Sequence, residues 1–294
     1  MAVLSKGTLF DPELVTDLIN KVKGKSSLAV LSKQVPVPFN GSKEFTFTLD
    51  KDVDIVAENG KKSEGGVSVE PVIIRPIKIE YGARVSDEFI YAADEEKINI
   101  LKAFNEGFAK KVARGIDLMA FHGINPRTKQ ASDVISTNHF DSLVTQTVTF
   151  DKAQIEENIE TAVAMIQGAN GEVSAIAMSP IFSQELAKLK VNGVKQYPEL
   201  AWGANPGIIN GLPADINTTI SEGDQVKDRS IIGDFANMFK WGYAKEIPLQ
   251  VIEYGDPDNS GKDLKGYNQV YLRAEAFIGW GILDAKSFVR IVEA

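Results

Sequence analysis

The chain has 294 residues, 44% of them apolar, no cysteine, two histidines and a formal net charge of −8. That is enough apolar material for one large core or two smaller ones, and the missing thiols exclude disulfides, thiolate nucleophiles and sulfur-ligated zinc. The acidic balance argues against sequence-independent capture of nucleic acid, which rests on Lys and Arg neutralising phosphates, and two histidines leave little acid–base machinery for an enzyme.

The N-terminus lacks the basic and apolar regions of a secretory leader, and no stretch approaches the roughly 18 apolar residues of a membrane span. A soluble cytoplasmic product is expected. Asp11 as N-cap, Pro12 at the first helical position, Leu14, Val15, Leu18, Ile19 and Val22 on one face, and Gly24 as the stop predict a short helix. The two prolines of "VPVPFNG" then predict extended, unpaired backbone.

From Phe45 to Val56 the alternation of Phe45, Phe47 and Leu49 with Thr46, Thr48 and Asp50 predicts a strand. At the usual rise it would reach roughly 40 Å. Asn59-Gly60 and Gly65-Gly66 supply the positive φ values for reversal, and Pro71 and Pro76, which cannot donate to a ladder, make the return strand an edge. A two-stranded ribbon of this size is barely stable alone, and its bare edge invites aggregation unless a partner covers it. The ribbon is therefore expected to lie on another copy of the same chain, with Phe45, Phe47, Lys61, Lys62, Ile73 and Ile77 at the subunit interface.

Next comes the strongest helix signal, Asp94 to His122, with Ile98, Leu101, Phe104, Phe108, Val112, Ile116 and Met119 at threes and fours and Gly123 as the stop. The second half predicts an amphipathic helix in "TFDKAQIEENIETAVAMIQGANG", a buried strand "AIAMS", a helix opened by Pro180, and then several β segments. This is an α+β pattern without the strict alternation of a parallel nucleotide-binding sheet.

Motifs for small-molecule chemistry are weak. No glycine cluster has phosphate-binding spacing. "DPDNSGKDLKGY" begins like a calcium loop with Asp256, Asp258 and Ser260, but Tyr267 stands where a bidentate Glu belongs, so a solvated turn is expected. His122 reads as a partly cationic cap at a helix C-terminus, and no Ser is framed as a hydrolase nucleophile. The alternation of Phe239, Trp241 and Tyr243 reads as a buried strand face rather than a base-stacking platform. No catalytic residue, metal or cofactor is expected.

The order of parts resembles the major capsid proteins of tailed phages with the Hong Kong 97-type fold. The likeness is carried by "ARVSDEFIYAADEEKINILKAFNEGFAKKVARGIDLMAFHG", "AIAMSPIFSQELAKLKVNGVKQYPEL", "IINGLPADINTTI", "SIIGDFANMFKWGYAKEIPLQVIEY" and "YNQVYLRAEAFIGWGILDAKSFVRIV", in that order over nearly the full length. The resemblance implies an N-terminal arm (1–38), an extended β-hairpin loop (39–82), a peripheral domain with a spine helix (83–141), an axial domain (142–246) and a returning peripheral β-segment (247–294). It implies pentamers and hexamers closing into an icosahedral shell in the virion, assembled in the host cytoplasm with portal and scaffolding proteins, around double-stranded DNA that is enclosed without sequence-specific binding.

Some members of that family cross-link covalently through a hairpin Lys, an Asn of the next subunit and a Glu base. Lys61 or Lys62, Asn268 and Glu275 match the pattern, the bland alternative being tip charges and a strand Asn and Glu. The family often carries a scaffolding extension of about a hundred residues before the arm; Met1 at the start of the arm favours a separate scaffold. Two alternatives remain at the level of sequence. An encapsulin-like nanocompartment would share the fold and enclose enzyme cargo, and an enzyme of unknown type is disfavoured by the absent Cys and scarce His.

Overall fold

A computed structural model describes residues 26–88, 94–223 and 226–294; the helix predicted over 11–24 lies outside them. The described chain begins with α1 (Ser27–Leu31), whose N-cap Ser26 accepts a hydrogen bond from the Ala29 amide. The prolines that follow do not leave the backbone unpaired, which corrects the expectation. The Val35 and Val37 amides donate to the carbonyls of Trp241 and Tyr243, at 2.8 and 3.3 Å. Pro36 and Pro38 have no N–H, but they alternate with the valines, so every available donor points to the same side. Gly242 permits the approach, because a Cβ there would fall 1.7 Å from the Val35 carbonyl oxygen.

The ribbon follows as β1 (Ser42–Leu49) and β2 (Val67–Ile74), antiparallel, with Phe45 opposite Pro71 and Phe47 opposite Val69. The first strand has 8 residues and stops at Leu49, short of Val56. The return strand also breaks: after Pro76 the chain leaves the ribbon as β3 (Ile77–Ser86) and joins a different sheet.

The spine helix α2 (Asp94–His122) has the bounds that its periodicity predicts. Beyond it lie α3 (Phe140–Leu143), β4 (Thr147–Thr149), α4 (Ile155–Gly168), β5 (Ala175–Met178) and α5 (Pro180–Lys188). Ser179 caps α5 by accepting from the Phe182 amide, and Pro180 fills the first turn. A small hairpin, β6 (Lys190–Val191) and β7 (Val194–Lys195), precedes β8 (Ile208–Ile209), β9 (Leu212–Ile216) and β10 (Asp228–Gly233). The chain ends in β11 (Phe239–Ile252), β12 (Gln269–Ile282) and β13 (Phe288–Val292).

Two sheets organise the body. One has the order β11-β12-β3, all antiparallel; the other has the order β4-β13-β10-β5-β9-β8, in which β4 with β13 and β5 with β9 run parallel. The strands β5, β10 and β13 form a wall between two cores. Ala177, Ile231 and Phe288 face the core shared with α2, whereas Ile176, Ile232 and Val289 face the core under α4 and α5. A strand apolar on both faces is what a sheet covered on both sides requires. In the first core Phe140 lies 5.0 to 6.0 Å from the rings of Phe121, Phe235, Phe239 and Phe288. The expected aromatic strand face is buried, with Phe239 at 1% and Trp241 at 0% exposure.

Candidate assembly surface

The register of the ribbon puts all its odd-numbered residues on one face, since Lys43, Phe45, Phe47 and Leu49 stand opposite Ile73, Pro71, Val69 and Val67. That face is apolar and bare: Phe45 is 64% exposed, Phe47 65% and Leu49 63%. The other face is anchored at its root. Ile74 is buried, with its side chain seated over Gly279 and Gly281 of β12, where a Cβ would sit 3.1 and 2.9 Å from it. Nearby, Lys240 bridges to Glu44 at 2.9 Å. Among the described residues, the subunit thus fixes where the ribbon starts and puts no cover on its apolar side.

Residues expected at the interface are spread along this element. Ile73 lies on the bare face, Lys61 and Lys62 are exposed in the irregular tip, and Ile77 is partly buried at the start of β3 against the first core. The cross-link residues do not meet within one chain. Asn268 is exposed, with a left-handed φ of 53°, just before β12. Glu275 lies within β12, 6% exposed and held by Lys78 at 2.8 Å. Seven residues of extended chain separate the two, about 23 Å.

Three polar joints tie together residues far apart in the chain. Asp117 of α2 is fully buried and accepts from the Ser26 hydroxyl, the Ser27 and Leu28 amides at 2.9 and 3.3 Å, the Thr219 hydroxyl at 2.8 Å and the Asn217 amide at 3.3 Å. It joins the start of the described chain, the spine helix and the loop after β9. Burial pushes its carboxyl up to about 6, against the pull of those donors. The signal in the sequence was an acid set in the apolar run "GIDLMAFH".

The second joint is His122, whose Nδ1 is 2.9 Å from Asp141 and whose Nε2 is 2.9 Å from the Thr219 carbonyl. Both ring nitrogens face acceptors, an arrangement that favours the protonated ring. Burial works against that charge, but the Asp141 bond and the nearby Asp228 carboxylate overcome it and raise the pKa. Arg290 forks onto both oxygens of Asp228 at 2.9 and 3.0 Å and reaches Asp141 at 2.9 Å. His122, Asp141 and Asp228 offer a cation-ligand set, yet Arg290 already pairs with both aspartates, and burial together with Asp141 pushes the Asp228 carboxyl up to about 7. The expected C-terminal cap thus has partners that raise its pKa in addition to the helix end.

The third joint is built on the expected solvated turn, whose residues 258–263 are exposed. Arg84 of β3 reaches into the loop after β11 and meets Asp256 at 2.7 Å, Asp258 at 2.5 Å and the Lys262 carbonyl at 2.8 Å. The guanidinium pairs with the two aspartates that made the sequence look like a calcium loop, and it holds Asp258 well below the usual carboxylate range.

The model of the phage capsid family matches residues 6–292. Among solved structures, a chain from Mycobacterium phage Ogopogo is similar with a TM-score of 0.79 at 28% identity, each chain being 92% covered. A chain from Gordonia phage Cozz gives 0.76 at 25% identity, covering 92% of this chain and 87% of that one. A chain described as the capsid of an empty GTA particle shares the fold, with a TM-score of 0.64 at 15% identity, covering 92% of this chain and 90% of that one. No curated protein matches the sequence.

Proposed function

The chain belongs to the phage capsid family and is a major capsid protein with the Hong Kong 97-type fold, and we propose that it closes, as pentamers and hexamers, into an icosahedral shell around packaged double-stranded DNA. The carrying observation is the bare apolar face of the ribbon, whose Phe45 and Phe47 stay 64% and 65% exposed in the single chain. A face of this kind gains stability only under another subunit. The nanocompartment alternative is not favoured, because the similar solved chains come from phages and a GTA particle.

The proposed division of labour is an arm (1–38), an overlapping loop (39–82), a peripheral domain (83–141) and an axial domain (142–246). The segment 247–294 returns to the β11-β12-β3 sheet and then enters the six-stranded sheet through β13. Portal and scaffolding proteins, assembly in the host cytoplasm and enclosure of DNA without base recognition complete the proposal.

Negative-stain microscopy of the expressed protein tests it. Hollow polyhedra on the order of tens of nanometres across are expected, and protein that stays monomeric at high concentration would overturn the reading. The same particles, boiled in detergent, are expected to run at the 32.1 kDa of the single chain, because Glu275 already serves Lys78. A ladder of multiples would instead assign Lys61 or Lys62, Asn268 and Glu275 to an isopeptide bond between copies.

A further inference from the structure

The chain contains five Asn-Gly pairs: Asn40-Gly41, Asn59-Gly60, Asn170-Gly171, Asn192-Gly193 and Asn210-Gly211. Each is open in principle to one reaction, attack of the glycine nitrogen on the asparagine Cγ, because glycine has no Cβ to obstruct it. The fold does not leave the five equally free. The Gly41 amide donates to the Pro38 carbonyl at 2.8 Å, the Gly60 amide to Ala57 at 2.8 Å and the Gly171 amide to Ile166 at 2.9 Å, so in three pairs the nucleophile is tied down. In a fourth the Asn210 side chain engages the Tyr197 hydroxyl, which is itself held by Glu156 at 2.7 Å.

Among the described residues, Asn192-Gly193 has neither restraint. The pair is the two-residue turn of the β6-β7 hairpin, with Asn192 at φ 53° and Gly193 at φ 83°. Both residues are exposed, and a Cβ on Gly193 would meet nothing within 4 Å. The ladder that holds this turn is two pairs long, Lys190 with Lys195 and Val191 with Val194, and all four residues are exposed. Such a ladder opens at small cost and lets the Asn192 side chain swing over the Gly193 nitrogen. Lys190 and Lys195 put two cations beside the turn, which favours the deprotonated amide and the oxyanion that follows it.

We propose that Asn192 is a site of spontaneous modification, converted through a succinimide to aspartate or isoaspartate at the tip of the β6-β7 hairpin. The Gly193 nitrogen loses its proton and bonds to Cγ, the side-chain nitrogen leaves as ammonia, and water then opens the ring at either carbonyl. One water is consumed and one ammonia released, with no change of oxidation state. The product sets a carboxylate between Lys190 and Lys195, and its isoaspartate form adds a methylene to the main chain, which a two-residue turn cannot absorb without losing its register. This inference stands independently of the shell reading.

Ageing the purified full chain in mildly alkaline buffer, cutting after glutamate and measuring fragment masses tests it, since the five pairs then fall in separate fragments. The 186–199 fragment, which carries Asn192, is expected to gain a single dalton at least about tenfold faster than the fragments carrying the other four pairs. In strong denaturant the five rates are expected to converge to within about threefold, because the contacts that separate them are gone. Gly193→Ala, whose methyl group crowds the attack, is expected to slow the 186–199 fragment at least about tenfold and to leave the 59–64 fragment unchanged, with the melting curve showing that the variant folds. A second fragment that keeps pace with 186–199 in the folded chain, a lead that persists in denaturant, or a folded Gly193→Ala variant that ages like the parent would each overturn the assignment.

Discussion

Replacing Phe45 and Phe47 by aspartate is expected to abolish particle formation and to leave the free subunit folded. Both side chains lie on the odd face of the ribbon and are 64% and 65% exposed in the single chain, so an aspartate there meets water and costs the subunit little, about 1 kcal/mol or less for a strand position. In the shell the account is reversed. Each lost phenylalanine removes about 1.5–3 kcal/mol of burial, and each new carboxylate must be desolvated without a partner. Even about 4 kcal/mol per contact weakens association roughly a thousandfold, and a closed shell repeats the contact at every copy. Light scattering for particles and circular dichroism for the subunit separate the two effects. Particles formed at parental yield would show that this face is not covered by a neighbour.

The second large effect is expected inside the subunit. Asp117→Ala removes the acceptor for two backbone amides, two hydroxyls and the Asn217 side chain, leaving buried donors that each cost about 1–3 kcal/mol. Loss of a carboxylate that resists ionisation offsets part of this, so a net loss of about 2–4 kcal/mol is expected by denaturant titration. The pH dependence identifies the cause. Because burial raises the folded-state pKa to about 6 from the ordinary 3.8, the folded protein binds the Asp117 proton more tightly than the unfolded chain between those values. Stability from this group is therefore full below about 4 and is lost as pH rises through about 6. The parent's advantage over Asp117→Asn should shrink across that window; an advantage that grows with pH would mean that the carboxylate is held as an anion.

The parts of the fold legible in the sequence are those governed by local rules. The spine helix shows its apolar stripe and its glycine stop, so both ends fall where the periodicity places them. Pro180 after Ser179 opens α5, and the alternation from Phe239 marks a buried strand face. Errors arose where partners decide. The alternation continues beyond Leu49 as far as Val56, but the chain opposite holds Gly65 and Gly66 and offers no apolar face to pair, so the ladder ends. Pro76 reads as one more edge residue, whereas it marks the point where the chain exchanges β1 for β12 as its neighbour. The segment "KWGYAKEIPLQVI" forms one strand despite Pro248, because β11 lies at the edge of its sheet and the register slips between Ile247 and Gln250.

The candidate surface divides in the same way. Its bare phenylalanines are visible in the strand pattern, since alternation says which residues share a face. The polar joints are non-local. Asp117 meets Ser26 and Thr219 across 91 and 102 residues, and Arg84 finds Asp256 and Asp258 across more than 170. Spacing along the chain carries no record of such meetings. An acid inside an apolar helical run, or an aspartate loop that lacks its last metal ligand, signals only that a partner must come from elsewhere.

Amide hydrogen exchange over residues 42–74, measured on free subunits and on assembled particles, tests most directly whether the ribbon is completed by a neighbour. The account predicts fast exchange through the ribbon and its tip in the free subunit, and protection that appears only on assembly, while α2 and the six-stranded sheet exchange slowly in both. Equal protection of the ribbon in both states would contradict it, because the subunit would then be sheltering that face by itself.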